Sequence, residues 1–392
     1  MSYKRAVITV THSLSSTSME FNEFVLFRAR HFPEELHFLV SYAPIVENQL
    51  RCCDPELLKN IRILDCQRSP FVMRQRLKTV IHDIQLLNIP SVFHFGHLRP
   101  ALLTHLFCSI SRQRPPSLFT IHSSFKNYRL PSKILSLANF FLSDHVNYVG
   151  QAACDSYPHW LRHVRNSSVH VITNGVDLDR VDIICNLYGR GNQAKLACGG
   201  KATQEFKLIN VGRLVGAKNQ KWLIKLMTEL PDEITLTIVG SGNLEKDLIK
   251  LSCDLQIDHR VKLTGSLERE DVYREILNSD LFVSSSIREG LPIAVLEAMA
   301  LVRPTILSDI PPHKEIGQYG ESVGILALDK ALWRERIDNF RKNQAKLRQI
   351  GQENRKIVES HFSLASMHNQ YTKLYRLMWS KFKSAGRNYT QR

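Results

Sequence analysis

Short apolar runs rich in Val, Ile and Leu recur along the chain, and longer amphipathic stretches separate them. Runs of this length between turn residues predict buried β-strands, and the stretches between them predict helices. The predicted strands are 6–10, 36–40, 62–64, 92–94, 118–122, 145–149, 169–172, 207–211, 234–239, 261–264, 281–284 and 305–307. The predicted helices are 20–31, 74–87, 101–111, 220–229, 244–255 and 269–278. The regular alternation of strands and helices predicts an α/β fold with mostly parallel sheets.

One segment breaks this alternation. Residues 189–205, GRGNQAKLACGGKATQE, are rich in glycine and polar side chains, which is typical of a linker. A chain of 392 residues is long enough for two domains. We therefore expect one domain over 1–190 and a second over 191–365, followed by a last amphipathic helix over 366–392.

The composition is that of a soluble globular protein, with 43% hydrophobic and 23% charged residues. No apolar run reaches the roughly eighteen residues that a membrane-spanning helix needs, and the first apolar run is too short for a signal peptide. The eight cysteines lack the paired spacing of zinc sites, so we expect reduced thiols and a cytoplasmic protein.

The net charge of +15 predicts an acidic partner. We find no nucleic-acid-binding motif, which favours phosphorylated substrates or an anionic membrane surface over DNA or RNA. Segments 68–78 and 124–141 interleave aromatic and basic residues. Each is either an interfacial element that contacts anionic lipid, giving peripheral membrane contact, or a solvated helix end.

The stretch 281–309 carries the clearest candidate chemistry. A strand ends in three serines, a loop follows with Glu289 and Gly290, and Pro292 opens an apolar helix that contains Glu297. Ligands of open α/β sheets bind at the carboxyl ends of strands, which is where Glu289 is expected. A carboxylate in so apolar a helix is costly to bury unless hydrogen-bonded, and the hydroxyl pair of a ligand would satisfy Glu297. The alternative is that both glutamates are ordinary surface residues.

Two cations follow the first predicted strand of the second domain. Arg213 and Lys218 lie in the sequence GRLVGAKN, in the loop that leads into a helix. Preorganised cations at such a position stabilise the negative charge that develops on a departing phosphate. Isolated pairs of this kind are also common on protein surfaces.

Three motifs, EGLPIAVLE, GRLVGAKN and NGVD, resemble those of retaining GT-B glycosyltransferases of glycosyltransferase family 4. The resemblance implies two Rossmann-like domains whose parallel sheets face a central cleft, with the last helix packing back on the first domain. It also implies transfer of a sugar, with retention of configuration, from a nucleotide-diphosphate donor such as a UDP-sugar to a glycan or lipid-linked acceptor hydroxyl. The expected setting is bacterial surface polysaccharide assembly.

The resemblance also implies roles for particular residues. It assigns catalytic roles to Glu289, His122, Arg213 and Lys218, with His122 near the transferred sugar. It implies a donor pocket made by Arg213, Lys218, Gly240, Gly265, Leu267, Glu289, Gly290, Leu291, Pro292 and Glu297. No cofactor or metal is expected, because the donor is a substrate and the cations supply the countercharge.

Several features have a structural interpretation instead. Asp177 and Asp179 formally make a metal-binding DxD, but they lie in the NGVD turn, where Asn174 and Gly175 suit a left-handed conformation. His94 is expected to be a packed, hydrogen-bonded strand residue.

One departure from the family pattern concerns the first loop. Ser15 and Ser16 stand where family members commonly carry a glycine pair. Two other functions remain open: a nucleotide-sugar epimerase of the same fold, and a basic binding protein without activity.

Overall fold

The computed structural model of the protein describes residues 3–13, 24–45, 55–108, 114–165, 168–188 and 205–387. The chain divides into two compact units, Met1–Thr173 with Met367–Arg392, and Asn174–Ser366. The units part after Thr173, whereas the polar pattern of the sequence put the boundary at 190. Ser15, Ser16 and residues 189–204 of the predicted linker lie outside the described residues.

The first unit is built on a seven-stranded sheet in which every neighbouring pair is parallel. Its strands are β1 (Arg5–Thr11), β2 (Glu35–Ser41), β3 (Ile61–Asp65), β4 (Ser91–Phe95), β5 (Ser117–Ile121), β6 (His145–Tyr148) and β7 (Val169–Val171), in the order β3-β2-β1-β4-β5-β6-β7. Its helices before residue 173 are α1 (Phe27–His31), α2 (Pro55–Leu58), α3 (Pro70–Leu87), α4 (Leu98–Cys108), α5 (Leu130–Leu142), α6 (Gln151–Asp155) and α7 (His159–Val164).

The second unit has a six-stranded sheet, also parallel throughout. Its strands are β8 (Phe206–Val211), β9 (Ile234–Val239), β10 (Val261–Leu263), β11 (Leu281–Ser284), β12 (Thr305–Ser308) and β13 (Val323–Leu326), in the order β10-β9-β8-β11-β12-β13. The remaining helices of the chain, in order, are α8 (Leu178–Tyr188), α9 (Gln220–Met227), α10 (Glu245–Asp254), α11 (Arg269–Leu277), α12 (Ile293–Ala300), α13 (Pro311–Gly317), α14 (Lys330–Lys342), α15 (Gln344–His361) and α16 (Leu364–Arg387).

The inner strands of both sheets are buried, which explains why these strands are nearly continuous apolar runs. All seven residues of β2 and all four of β11 are buried. Each unit has its own apolar core: Ile8, Phe38, Phe93 and Phe119 are central in the first, and Leu208, Ile238, Val283 and Trp333 in the second.

The last helix, α16, belongs to the first unit from Met367 onwards. Tyr371 accepts a hydrogen bond from the Asn147 amide at 2.9 Å, and the Tyr375 hydroxyl lies 2.8 Å from His94 Nδ1. Since His94 Nε2 also lies 2.8 Å from the Thr120 hydroxyl, His94 is the packed and hydrogen-bonded residue that its strand position predicts. No helix in the described ranges combines the length and apolar character that crossing a bilayer requires.

The helix predicted over 20–31 is present in the described part of that range, where a wider helical turn at 24–26 leads into Phe27–His31. Two other expectations about local structure are wrong. Pro292 is the capping residue before α12 rather than its first residue. Asn174 and Gly175 are not left-handed; Gly175 is needed instead because a Cβ there would lie 2.5 Å from the Ser363 carbonyl oxygen.

Candidate functional site

The predicted donor-side residues of the second unit gather at one edge of its sheet. Arg213 follows β8, Gly240 follows β9, Gly265 follows β10 and Glu289 follows β11. These four strands are consecutive neighbours in the sheet and all run in the same direction. Their carboxyl ends therefore meet at one edge, where ligands of open α/β sheets bind.

The loop after β8 presents Lys218 at the end of a short 3-10 helix, Gly216–Lys218. Asn219 then adopts a left-handed conformation with φ 54°, which an asparagine tolerates better than most residues, and α9 begins at the next residue. A Cβ on Gly212 would lie 3.2 Å from Lys218 Cε, so a glycine there lets the lysine stem run close to the backbone. Arg213 is exposed.

Hydrogen bonds join this loop to the loop after β11. The backbone amides of Ile287 and Arg288 donate to the Ala217 carbonyl at 2.9 and 3.3 Å. The Ser285 hydroxyl donates to the Asn219 carbonyl at 2.9 Å, and the Asn219 side-chain amide donates to the Ser285 carbonyl at 3.2 Å. These hydrogen bonds hold the two loops together and keep Lys218 next to Glu289.

Lys218 and Glu289 form an ion pair with 2.6 Å between Nζ and Oε1. The Ser286 hydroxyl donates to the same oxygen, also at 2.6 Å. The Glu289 side chain is only 9% exposed and that of Lys218 20%, so the pair is shielded from water on most sides. A charge pair with an added hydroxyl donor at low exposure is strongly oriented.

Glu297 is buried on α12 and has a protein partner. The Tyr273 hydroxyl on α11 donates to Glu297 Oε1 at 2.9 Å. Burial and the nearby carboxylate both raise the pKa of Tyr273, so its hydroxyl keeps the proton that it donates. One oxygen of this buried carboxylate thus already accepts from the protein, and the contact of Glu297 with a ligand hydroxyl pair stays a prediction.

The glycines at this edge have distinct backbone roles. Gly240 has φ +135° and donates its N–H to the Gly265 carbonyl at 2.9 Å; a Cβ on Gly240 would collide with the Gly212 carbonyl. Gly265 has φ +72°, and nothing lies within 4 Å of where its Cβ would be. Gly240 allows the loops after β8, β9 and β10 to approach one another. Gly265 leaves open space where a side chain would otherwise be.

The remaining predicted pocket residues frame these groups. Leu267 is half-buried after Gly265, and Gly290 is half-buried beside Glu289. Leu291 and Pro292 are buried where the loop enters α12. His122 belongs to the other unit, where it follows β5 and is half-buried. Its role beside the second-unit residues stays a prediction.

Asp177, the first aspartate of the formal DxD, has a structural partner. Its carboxylate accepts a hydrogen bond from the Arg180 backbone amide at 3.1 Å, which caps the start of α8. The same carboxylate lies 3.3 Å from the Arg180 guanidinium. Among the described residues, no group of three histidine, cysteine or acidic side chains has the arrangement to hold a metal ion.

Comparison with known proteins identifies the architecture. Residues 193–357, which lie within the second unit, match the family described as Glycosyl transferases group 1. The crystal structure of Anabaena Alr3699/HepE in complex with UDP and glucose superposes with a TM-score of 0.74 over 94% of this chain and 98% of that one, at 16% identity. The chain has the GT-B fold.

Relatives of this GT-B protein include proteins described as glycosyltransferases. The putative glycosyltransferase EpsD of Bacillus subtilis is 34% identical over 161 residues, covering 40% of this chain and 42% of EpsD. The Escherichia coli UDP-Gal:alpha-D-GlcNAc-diphosphoundecaprenol alpha-1,3-galactosyltransferase is 34% identical over 149 residues, covering 36% of each chain. The aligned part of this chain thus spans less than half the length of these relatives.

The sequence did not indicate four residues that are hydrogen-bonded to the two glutamates directly or through one another: Tyr273, Ser286, Ser308 and His313. Tyr273 and Ser308 lie in ordinary helix and strand patterns, so no local signal marks them. Ser286 closes the serine triplet at the end of β11, and His313 follows two prolines after β12. Polar residues immediately after a buried strand are the one signal that would have pointed to this pair.

Proposed function

We propose that this protein is a glycosyltransferase of glycosyltransferase family 4 that moves a sugar, with retention of configuration, from a UDP-sugar to a hydroxyl of a glycan or lipid-linked acceptor. The observation that carries the proposal is the gathering of Arg213, Lys218 and Glu289 at one sheet edge, with Glu297 buried on the helix that follows Glu289. The family match over the same unit supports it, as does the similarity in fold to an Anabaena protein crystallised in complex with UDP.

In this mechanism the two cations act on the leaving diphosphate. Negative charge accumulates there as the bond to the sugar breaks, and fixed cations stabilise it more in the transition state than in the ground state. Arg213 is exposed at the edge and offers a planar donor fork to phosphate oxygens. Lys218 is held by Glu289, which orients the ammonium before the donor binds.

The two glutamates have different tasks in this proposal. Glu297, buried and held by Tyr273, accepts from a ribose hydroxyl of the nucleotide. Glu289, on the loop after β11, contacts the transferred sugar near the breaking bond. Gly240, Gly265, Leu267, Gly290, Leu291 and Pro292 shape the donor pocket, and His122 lies near the sugar. Retention rests on the family resemblance.

The first test measures turnover after removal of each cation. Arg213→Ala and Lys218→Ala should each reduce nucleotide diphosphate release roughly a hundredfold, the scale of losing one preorganised charge-stabilising donor. Lys221→Ala, on the exposed face of α9, is the matched control and should be near wild type. If both site variants turn over normally while folded, the assignment of this edge is wrong.

The same assay separates the other two functions. Wild type is screened over a panel of nucleotide sugars with and without an acceptor glycan. An epimerase converts the nucleotide sugar without any acceptor, and a binding protein converts none. A transferase releases nucleotide diphosphate and gains rate with acceptor.

We also propose that the reaction needs no metal or cofactor, because Arg213 and Lys218 supply the countercharge. Activity should therefore survive exhaustive dialysis against a chelator, and Asp179→Ala should match wild type. Loss of activity on chelation, with recovery on adding manganese, would contradict this proposal.

A surface of the first unit supports a membrane-associated acceptor. Exposed apolar side chains of α5 and α7 lie together, since the rings of Phe141 and Trp160 stack 6.4 Å apart. We name this surface the α5–α7 face; it comprises Leu130, Ile134, Phe141, Leu142, Trp160 and Val164. Leu130 is 71% exposed and Trp160 56%.

The charges around the α5–α7 face favour an anionic membrane over a protein partner. Neither α5 nor α7 contains an acidic residue. Lys126, Arg129 and Lys133 lie at the start of α5 and just before it, and Lys133 lies over the Phe125 ring at 5.2 Å. Exposed aromatic and aliphatic side chains flanked by cations are typical of interfacial helices on anionic lipid. We therefore propose peripheral contact of this cytoplasmic protein with the membrane that holds its acceptor.

A further inference from the structure

His313 lies behind the Glu289 loop and is completely buried. It belongs to α13, which begins three residues after the end of β12, and β12 pairs with β11. No motif assigns it a role, and it makes no contact that the proposed mechanism uses directly. Burying an imidazole is costly unless its nitrogens are hydrogen-bonded, so its partners need an explanation.

The hydrogen bonds of His313 fix which nitrogen carries the proton. Nδ1 lies 2.8 Å from the Ser308 carbonyl oxygen and 3.2 Å from the Ser308 hydroxyl oxygen. A carbonyl only accepts, so Nδ1 is the protonated nitrogen and Nε2 of the neutral ring is not. The Ser308 hydroxyl in turn donates its single proton to the Ser286 carbonyl. It can therefore only accept from the imidazole.

The series continues from Ser286 to the proposed catalytic pair. The Ser286 hydroxyl donates to Glu289 Oε1 at 2.6 Å, and Lys218 Nζ donates to the same oxygen at 2.6 Å. Three donors thus lead from the imidazole to the carboxylate, and each has its own acceptor. His313 donates to Ser308, Ser308 to the Ser286 carbonyl, and the Ser286 hydroxyl to Glu289. Such a series holds its members in one arrangement, because turning any one group leaves a buried neighbour unpaired.

The electrostatic setting keeps the ring neutral. Burial lowers the pKa of His313 to about 4, while Glu289 acts to raise it and Lys218 to lower it. Nε2 is buried and has no hydrogen-bond partner among the described residues. A proton added there would bury a positive charge near Lys218, so the neutral Nδ1–H form is the one that supports the ion pair.

We propose that His313 is a positioning residue that holds Ser286 and Glu289 in place for sugar transfer by donating its Nδ1–H to Ser308. This positioning role rests on the proposed function in one respect, the part that Glu289 plays in sugar transfer. The tautomer and the hydrogen-bond series stand on geometry.

The activity test compares two replacements of the ring. Asparagine places an amide N–H close to the position of Nδ1, whereas leucine fills the space without a donor. We expect His313→Asn to retain turnover within about threefold. His313→Leu should lower kcat about tenfold or more and leave the donor KM nearly unchanged, because small misplacements of a catalytic group are costly. Equal losses in both variants would contradict the proposal.

A double-mutant cycle tests whether His313 acts through Glu289. In an E289Q background, His313→Leu should cause little further loss of kcat, because the group it positions is already altered. A full additional tenfold loss would overturn the proposed route. Ser308→Ala removes the hydroxyl that donates to the Ser286 carbonyl, the next link of the series, with a smaller change in the core. It should lower kcat in the same way and serves as the test if His313→Leu does not fold.

A spectroscopic test does not depend on activity. In ¹⁵N-labelled protein at neutral pH, the imidazole signals that vanish in His313→Asn belong to His313. They should report a proton on Nδ1 and a bare Nε2. A proton on Nε2 would overturn the inference. If wild type transfers no sugar from any donor, the proposed function fails while this measurement still decides the hydrogen-bond series.

Discussion

At the scale of single residues, the site is organised around one carboxylate oxygen. Glu289 Oε1 accepts from both Lys218 and Ser286. Breaking a shielded ion pair by removing one partner leaves the other charge uncompensated, which is costly at such low exposure. In the proposed mechanism, the diphosphate of the donor would meet an ammonium that this ion pair has already oriented.

The two glutamates allow their roles to be separated by measurement. Glu297→Gln should mainly weaken donor binding, by roughly 1.5–3 kcal/mol for one charge-assisted hydrogen bond. Glu289→Gln should lower kcat more than it raises the donor KM, because its contact matters most as the bond breaks. Tyr273→Phe is the matched control for Glu297, because it removes only the protein's own hydrogen bond to that carboxylate.

The reverse pattern, with Glu289→Gln defective in binding and Glu297→Gln in turnover, would show that the roles are exchanged. Normal kinetics in both variants would show that neither glutamate takes part in donor binding or turnover. Steady-state rates over a range of donor concentrations separate these results.

At the scale of elements, the α5–α7 face gives a prediction about membrane binding. Leu130→Ser with Ile134→Ser should reduce co-sedimentation with vesicles that contain phosphatidylglycerol, and wild-type binding should weaken as salt is raised. Leu106→Ser is the matched control, because Leu106 is 55% exposed on α4, outside this face. Equal binding of all three proteins, or equal binding to neutral phosphatidylcholine vesicles, would contradict the assignment.

Elements were predictable from the sequence where burial dictates the residue pattern. The strands 234–239 and 281–284 were predicted with the observed bounds, because apolar runs between turn residues leave few alternatives. β13 was not predicted: its four residues include Gly324 and are only partly buried, so the apolar signal is weak. Glycine in a strand interior also lowers strand propensity.

The site was predictable in part, and the limit is physical. Chain position placed Arg213, Lys218 and Glu289 at strand ends, because parallel strands bring their carboxyl ends together. The Tyr273–Glu297 bond and the series from His313 to Glu289 join different elements, so their partners are set by packing rather than spacing. Gly175 is a similar case, since the close backbone of Ser363 decides its role.

At the scale of the whole molecule, buried histidines make stability depend on pH. Three of those in the first unit carry the largest effect: burial lowers the pKa of His37 and His94 to about 3, and that of His368 well below its ordinary value. The positive charge of buried Arg28 acts in the same direction on each. These rings bind protons more readily in the unfolded chain. Their contribution to stability is therefore full above about pH 6.5 and falls as pH drops toward 3.

We expect the free energy of unfolding to fall by up to about 1.4 kcal/mol per pH unit for each such ring below pH 6.5. Buried Glu35, whose pKa is raised, opposes this trend, so the test is a difference between variants. His37→Phe removes one titrating ring and should give a shallower dependence in denaturant titrations at several pH values. His82→Gln, on the surface of α3, is the control. Identical slopes for all proteins would contradict the assignment.

The path of α16 affects the order in which the protein can fold during synthesis. Asn147, His94 and Arg28 are buried in the first unit, and each is hydrogen-bonded by a residue beyond 370: Tyr371, Tyr375 and Thr372. The ribosome makes these partners after the entire second unit. Until α16 has been made, each of the three groups therefore lacks one of its hydrogen-bond partners, whereas residues 174–366 can complete their own core earlier. Chaperones would meet the amino-terminal half of a nascent chain, and a premature stop near the carboxyl terminus would damage the unit that was made first.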